Sequence, residues 1–449
     1  MDGAKAIPQF TAGEYRDYLA AGKADVVEFF GRQQAYAQQV QERLQAFACL
    51  DERVVALQAE LRRAERARGE PLGPLYGVPL AVEDLIDTVD FPTAFGSPIH
   101  EGRYPIADAT AVRRLREAGA VVFAKAATAE FGAGGAAAVR NPHQPEHGVG
   151  SAAGGAAAAV ASGAVPLALA TGNDGAVMLA ASCCGVYGYQ PSTGLLPRTG
   201  ALEPAPSLDR LGLFARCVED LALAAEIASG DDGRDRAALA VPPRQLASVC
   251  AAEPPVEPKF CFVRTPWWPQ IDAEAREACE AFVELMRGVV GTAELPAVVE
   301  QAVPWHRQVQ QAELAFALQR EWRHHRDGLS AALRERLERA AAAAAVDYLI
   351  ARDRIAHVAC AFDEYFDRYD ALLLPAAPGP APPVSAPAPE TAMHAVWSFA
   401  GLPAVSMPLL TLAGALPFGV QAVGALHNDG RLLRAVRWLV NEFVRRGNA

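Results

Sequence analysis

Two acidic side chains that follow short apolar runs are the strongest candidates for chemistry in this sequence. Glu83 comes directly after the run 78–82, and Asp174 lies in the turn 173–175 behind a second apolar segment. A carboxylate in a partly dry pocket has a raised pKa and can transfer protons near neutral pH. Two carboxylates in one cavity can instead hold an amine or guanidinium cation. The sequence therefore predicts Glu83, with Asp174, as an acid/base group or ligand anchor.

Both residues also have plain structural interpretations, which the sequence leaves open. Glu83 is equally compatible with a drifted position, solvated or paired with an arginine. For Asp174, a tolerated turn residue is the preferred of the two interpretations. Cys183 is expected to be buried as a small hydrophobic residue rather than to be reactive. His143 and His147 share a loop with no evident third ligand, so no metal site is predicted.

Composition and charge exclude several classes of function. The chain has 449 residues, is 51% hydrophobic, and carries a net charge of −11 with a pI near 5.4. Such an acidic surface argues against nucleic acid and anionic membranes as partners. The eight cysteines form no Cys-x-x-Cys pair, so we expect free thiols. No signal peptide and no uninterrupted stretch of about 20 apolar residues is recognisable, which predicts a cytoplasmic protein.

Apolar periodicity predicts helices that alternate with short strands. Residues 11–68 are expected to form two or three amphipathic helices. Strands are predicted at 78–82, 121–124, 404–408 and 418–423, and further helices at 109–118, 272–290, 306–368 and 431–446. The Ala/Gly-rich segment 152–169 predicts a buried helix followed by a strand. This alternation is typical of an α/β fold.

Four segments are predicted to lie outside the regular core. Residues 128–151 indicate a long loop, 226–256 a surface linker, and 375–389 a Pro/Ala-rich extended loop. The charges between 334 and 339, Arg336 among them, predict a solvated helix face, and the run Ala340–Ala345 is placed inside the same helix.

Three stretches of the chain, at 73–84, 148–160 and 170–191, together resemble the amidase-signature family. Further matches follow in order at 93–97, 141–142, 205–209, 215–220 and 400–404. The resemblance covers about residues 10–225 and 370–446. It implies an α/β fold with a mixed, mostly parallel twisted sheet and helices on both faces. It also implies one domain with N-terminal helices (1–70), a signature core (71–225), a variable helical region (226–370) and a C-terminal part of the core (371–449).

The resemblance also shows that the family's catalytic groups are replaced. In that family a Lys, a cis-peptide Ser and a nucleophilic Ser form the catalytic triad, and these positions fall on Glu83, Ala152 and Ala176. An alanine has no nucleophilic or proton-relaying atom, and Glu83 replaces a cation with an anion. Asp174 stands where the family has a glycine in the turn that holds the oxyanion. A degenerate member, a pseudo-amidase that does not use the Ser-cisSer-Lys mechanism, is therefore implied.

Three functions are weighed from this pattern. The favoured expectation is a repurposed enzyme that uses Glu83 and Asp174 on a small molecule for non-hydrolytic chemistry such as cyclisation, dehydration or isomerisation. The alternative is a non-catalytic pseudo-amidase that binds a ligand, a protein partner or a second copy of itself. The last is a residual amide hydrolase with Ser151 as substitute nucleophile. The pocket is expected to include Ser151, Asn173, Gly175 and Cys183, and no cofactor is expected.

Overall fold

The fold is organised around one mixed sheet of eleven strands, flanked by helices. The computed structural model describes residues 10–240, 245–387, 389 and 392–447. The strands are β1 (Phe47–Cys49), β2 (Pro79–Glu83), β3 (Val121–Ala126), β4 (Leu167–Gly172), β5 (Tyr187–Gln190), β6 (Arg210–Ala215), β7 (Phe260–Val263), β8 (Val290–Ala293), β9 (Ala371–Pro375), β10 (Ala404–Leu412) and β11 (Leu416–Val423). Their order across the sheet is β1-β3-β2-β4-β6-β5-β10-β11-β9-β7-β8.

Sixteen α-helices accompany the sheet in the described part of the chain. They are α1 (Ala12–Ala20), α2 (Val26–Leu44), α3 (Glu52–Ala67), α4 (Thr110–Glu117), α5 (Gly154–Ala161), α6 (Ala176–Cys184), α7 (Val218–Ala228), α8 (Leu246–Ala251), α9 (Ala273–Leu285), α10 (Val298–Ala317), α11 (Gln319–His324), α12 (Ala331–Ala340), α13 (Ala345–Cys360), α14 (Asp363–Phe366), α15 (Ala392–Phe399) and α16 (Asp429–Gly447). The predicted α/β class is confirmed.

The N-terminal helices begin where short polar residues cap them. Thr11 accepts a hydrogen bond from the backbone of Glu14, whose side chain reaches back to the Thr11 N–H. Asp25 and Asp51 accept from the first free N–H groups of α2 and α3 in the same way. These caps satisfy donors that have no partner inside a helix. The two or three amphipathic helices predicted over residues 11–68 are three, and each begins at a capped residue.

Strand direction brings two functional segments to one edge of the sheet. The strands β3, β2 and β4 pair in parallel, as do β9, β7 and β8, while the remaining neighbours pair antiparallel. Val82 of β2 lies opposite Leu169 of β4. Because parallel strands end at the same edge, the residues at the ends of β2 and β4 meet there.

Small residues let two helices approach the sheet closely. A Cβ added to Gly155 of α5 would lie 2.2 Å from the carbonyl oxygen of Ala127, so this helix packs against backbone. The nine residues of α6 are all buried, and this helix packs on β4, β5, β10 and β11. The predicted buried helix and strand at 152–169 correspond to α5 and β4.

Several expectations for the remaining segments need correction. The run Ala340–Ala345 does not lie inside a helix, because α12 ends at Ala340 and α13 begins at Ala345. The supposed linker 226–256 contains the end of α7 and all of α8, which packs on α7 and α16. Residues 1–9, 241–244, 388, 390–391 and 448–449, which include parts of the expected N-terminus, linker and Pro/Ala-rich loop, lie outside the described residues. Within the described ranges, no helix combines the length and apolarity that crossing a membrane requires.

Candidate active site

A cavity of about 210 Å³ lies where β4 turns into α6. Its wall includes Ser151, Ala152, Thr171, Asn173, Asp174, Ala176, Asp209 and Arg336. Gly175 makes the turn with φ 91°, and a Cβ there would meet the Cβ of His394 at 2.1 Å. The first N–H groups of an α-helix have no intrahelical partner and carry partial positive charge. The start of α6 therefore offers backbone donors to an anionic or polarised oxygen in the cavity.

Glu83 lies behind the cavity wall rather than on it. It ends β2, is completely buried, and is absent from the lining of the cavity. Its Oε2 accepts hydrogen bonds from the Thr171 hydroxyl at 2.9 Å and the Thr171 N–H at 2.6 Å. Its Oε1 accepts one from the Thr128 hydroxyl at 2.7 Å. The carboxylate thus reaches the cavity through the hydroxyl of Thr171.

Burial raises the pKa of Glu83 to about 7, and the hydrogen bonds from Thr128 and Thr171 offset only part of that rise. The amine of Lys125 is equally buried but is directed to the Ile86 carbonyl and, at 2.9 Å, to the Thr93 hydroxyl. Glu83 therefore accepts hydrogen bonds from hydroxyls and an amide, without a salt bridge in the described structure. A carboxyl with this pKa exchanges protons readily near neutral pH.

Asp174 and Glu83 do not face one cavity, contrary to the expectation from sequence. Asp174 lies on the cavity wall and also borders a second cavity of about 460 Å³ that includes His306 and Arg307. Glu83 instead ends a central strand, where the side chain of Thr171 separates it from the open space. The two carboxylates therefore have different surroundings, because one is desolvated by the sheet and the other lies on an open turn.

Arg336 is the cation of this site, and the prediction that it lies on a solvated helix face was wrong. It lines both cavities beside Asp174, and its guanidinium donates to the Ala133 carbonyl oxygen at 3.0 Å. Burial lowers its pKa, and the negative charge of Asp174 partly offsets that effect. Among the described residues it forms no ion pair within salt-bridge distance. It reaches the cavity because Leu333 and Leu337, on either side of it in α12, are buried.

A chain of polar contacts holds the turn before α6. The side-chain amide of Asn173 donates to Asp209 at 2.6 Å and accepts from the Gln310 amide at 2.8 Å. The backbone carbonyl oxygen of Asn173 lies 2.7 Å from His306 Nε2. Asp209 lines the cavity, and burial raises its pKa to about 8, against the lowering effect of its hydrogen bonds. Residues of α10 thus fix the position of the turn.

The remaining predicted site residues occupy defined places. The Ser151 hydroxyl donates to the Ala176 carbonyl oxygen at 2.8 Å, and both residues line the cavity with Ala152. Cys183 is buried outside the lining, and burial raises the pKa of its thiol to about 12, which agrees with the expected unreactive thiol. All eight cysteines are free.

The loop histidines have structural contacts. His143 Nε2 lies 2.9 Å from the Cys184 carbonyl oxygen, and His147 pairs its backbone with the segment around Pro383. Within the described residues, no group of three His, Cys, Asp or Glu side chains is arranged to hold a metal ion.

Sequence reasoning did not single out Thr171, Asp209 or Arg336 as site residues. Thr171 had a usable signal, because it stands at the carboxyl end of a predicted buried strand, next to the turn. Arg336 had none, because its helix carries several arginines with similar spacing and only tertiary packing distinguishes the one that reaches the cavity.

Comparison with known proteins finds relatives along most of the chain. The amidase family model matches residues 26–433. A glutamyl-tRNA(Gln) amidotransferase subunit of Thermus thermophilus is 32% identical over 471 aligned positions, covering 94% of this chain and 95% of that protein. The subunit of the same name from Picosynechococcus is 34% identical over 270 positions, and the match spans 58% of this chain and 56% of the relative. A solved structure from a vestigial protein complex, described as revealing the origins of an s-triazine catabolic enzyme, superposes with a TM-score of 0.90 at 26% identity, covering 96% of this chain and 98% of its own.

These relatives overturn the favoured functional expectation and its first alternative. A non-hydrolytic enzyme or a non-catalytic pseudo-amidase does not agree with relatives that are 32–34% identical and named as amidotransferase subunits. The sequence argument inferred the loss of hydrolysis from the three replaced triad groups alone. It did not weigh the other polar groups that the fold brings to the cavity, such as the Thr171 hydroxyl beside Glu83.

Proposed function

The chain belongs to the amidase family, and from that premise we propose that it hydrolyses the amide bond of a small substrate that carries a carboxylate. The observation that carries this proposal is the position of Arg336, a half-buried guanidinium on the cavity wall without an ion-pair partner in the described structure. A buried charge is costly unless it is paired. A substrate carboxylate would supply the missing partner, and guanidinium binds carboxylates with two parallel hydrogen bonds.

The size of the cavity supports a small substrate. At about 210 Å³ it is smaller than the usual range of about 300–1,000 Å³ for drug-sized ligands. The start of α6 and the carboxyl groups of Asp174 and Asp209 supply donors and acceptors on the remaining wall. We therefore assign the substrate to short amides of dicarboxylic acids or of amino acids, with the scissile carbonyl toward α6.

The test compares two amides that differ only in the charge of the remote group. Succinamate and its methyl ester are incubated with wild type and with Arg336→Met, and ammonia release is measured. Wild type is expected to prefer succinamate to the methyl ester. Arg336→Met is expected to raise the KM for succinamate about tenfold or more, because a charge-assisted contact contributes about 1.5–3 kcal/mol. Arg334→Met, on the same helix but outside the lining, serves as the matched control. Equal use of the two amides by wild type would contradict the proposal.

We propose further that the chain works in the cytoplasm as one component of a protein assembly. Two observations support this: the relatives are named as subunits, and the similar solved chain comes from a protein complex. Co-purification of the native protein from its own cells, followed by mass determination of the intact species, tests the assembly. A species with the mass of this chain alone would contradict it. The acidic net charge of −11 continues to disfavour nucleic acid as a direct ligand of this chain.

The expected loss of the family's catalytic triad limits which residue can act as the nucleophile. Ala152 and Ala176 carry no reactive atom, so hydrolysis requires a nucleophile elsewhere on the same cavity wall. We further propose that the ligand is a small molecule and that Glu83 takes part in the reaction.

A further inference from the structure

One hydroxyl in the cavity is hydrogen-bonded to a buried carboxylate. Thr171 occupies the carboxyl end of β4 and lines the cavity, while Glu83 lies directly behind it. The Thr171 hydroxyl donates to Glu83 Oε2 at 2.9 Å. The Thr171 N–H donates to the same oxygen at 2.6 Å, which fixes the carboxylate relative to the hydroxyl. A nucleophile and its base within hydrogen-bond reach form the minimum arrangement for covalent catalysis.

The surroundings of Glu83 suit it to accept a proton. It is completely buried, and its hydrogen-bond donors are the hydroxyls of Thr128 and Thr171 and the amide of Thr171. Burial raises its pKa to about 7. A general base is most effective when its pKa lies near the working pH, because it is then both largely ionised and sufficiently basic.

The same cavity supplies groups for the developing oxyanion. Thr171 precedes the first residue of α6, Ala176, by one short turn, and both residues line the cavity. The backbone at Gly175 is held in its left-handed conformation against His394. The free N–H groups at the start of α6 therefore lie on the wall that also carries the hydroxyl.

We propose that Thr171 is the nucleophile of this enzyme and that Glu83 is its general base, an inference that rests on the proposed amide hydrolysis. The Thr171 Oγ1–H bond breaks as its proton passes to Glu83 Oε2, and Oγ1 bonds to the amide carbon. The π electrons of the amide C=O bond move to its oxygen, which becomes the oxyanion. The oxyanion then re-forms the carbonyl, the C–N bond breaks, and the nitrogen leaves with the proton from Glu83. Water next attacks the threonine ester, gives a proton to Glu83, and releases the acid as Thr171 regains its hydrogen.

Ser151 is the rival nucleophile on the same wall, and its geometry is less suitable. Its hydroxyl donates to the carbonyl oxygen of Ala176 at 2.8 Å, a neutral acceptor that does not remove a proton. The hydrogen bond to a titratable group therefore distinguishes Thr171 from Ser151.

The deciding experiment traps the acyl-enzyme and locates it. The full-length protein, with any partner chain that co-purifies, is mixed with 4-nitrophenyl hydrogen succinate, quenched in acid, and digested for mass spectrometry. A succinyl group is expected on Thr171 in wild type and on the serine at the same position in Thr171→Ser. No succinyl group is expected at this position in Thr171→Val. Succinamate hydrolysis is expected to fall by about 10³-fold or more in Thr171→Val and Glu83→Gln.

Two further variants separate catalysis from structure. Thr110→Val removes a comparable hydroxyl, which donates to Asp232 at 2.6 Å outside the cavity, and it is expected to retain succinamate hydrolysis. Thr128→Val removes a hydrogen bond that lowers the pKa of Glu83, so the rise of kcat/KM with pH is expected to move to higher pH. A purely structural role of these hydroxyls would not move this profile.

The outcomes separate the two proposals. If wild type hydrolyses succinamate but Thr171→Val retains the rate, or the succinyl group lies on Ser151, the assignment of Thr171 is wrong while amide hydrolysis stands. If wild type hydrolyses neither the amide nor the ester, the proposed function fails and the assignment fails with it.

Discussion

At the scale of single residues, the main feature is a carboxyl group that the sheet desolvates. Glu83 accepts its hydrogen bonds from two hydroxyls and a backbone amide rather than from a cation. Lys125 is buried close enough for the negative charge of Glu83 to raise its pKa, against the larger lowering effect of burial, but its amine donates to the Ile86 carbonyl and the Thr93 hydroxyl. The result is an acid whose proton is held tightly in the folded state, which has a measurable consequence for stability.

We predict that Glu83 makes the protein less stable as the pH rises from about 4.5 to about 7. Its pKa is about 7 when folded and near 4.5 when exposed, so the folded state binds the proton more tightly. The stabilisation is complete below about pH 4.5 and is lost as pH rises through about 7, and it amounts to about 3 kcal/mol. Glu83→Gln lacks this dependence.

Urea unfolding at several pH values measures this difference. Wild type should lose stability relative to Glu83→Gln over that interval, and the two curves should run in parallel above about pH 8. Asp209, whose pKa is also raised, contributes equally to both proteins and cancels in the comparison. Parallel curves across the whole range would show that folding does not raise the pKa of Glu83.

At the scale of elements, the turn between β4 and α6 connects the sheet to the cavity. We predict that Gly175→Ala destabilises the protein by about 2–5 kcal/mol, because the backbone has φ 91° and the new Cβ would overlap the Cβ of His394. Thermal unfolding measures the loss. In Gly175→Ala with His394→Gly the steric part should be relieved and the backbone part should remain. A double variant no more stable than the sum of the single changes would contradict the clash.

The elements also show how far sequence reasoning reaches. Periodicity identified α1 to α3 and five of the eleven strands (β2, β3, β4, β10 and β11), because apolar spacing in a regular element follows directly from its geometry. It placed Ala340–Ala345 in a helix because alanine has high helix propensity, whereas the packing of α12 and α13 against α10 requires a break there. The sequence singled out Glu83 and carried a usable signal for Thr171 at the end of a predicted strand, whereas the position of Arg336 depends on helix packing that no local pattern encodes.

At the scale of the whole molecule, the sheet joins segments that are far apart in sequence. Strands β7 and β8 come from the middle of the chain and pair in parallel beside β9, which belongs to the C-terminal part. One cluster of buried apolar side chains extends from Ala12 to Leu439. The region 226–370 thus contributes two strands to the common sheet, as well as the helices that carry Arg336 and His306.

We predict on this basis that the chain unfolds as a single cooperative unit. Removing β7 and β8 would leave β9 as an exposed edge with unpaired backbone groups, so the middle region and the core stabilise each other. In native-state hydrogen exchange, the amides of Phe260–Val263 should therefore reach the same opening free energy as those of Leu167–Gly172. A lower value for β7, together with an earlier calorimetric transition, would show that 226–370 is a separate domain. Equal values would mean that Arg336 and the Thr171–Glu83 pair are held by one cooperative structure, because the helix carrying the first and the strands carrying the second could not open independently.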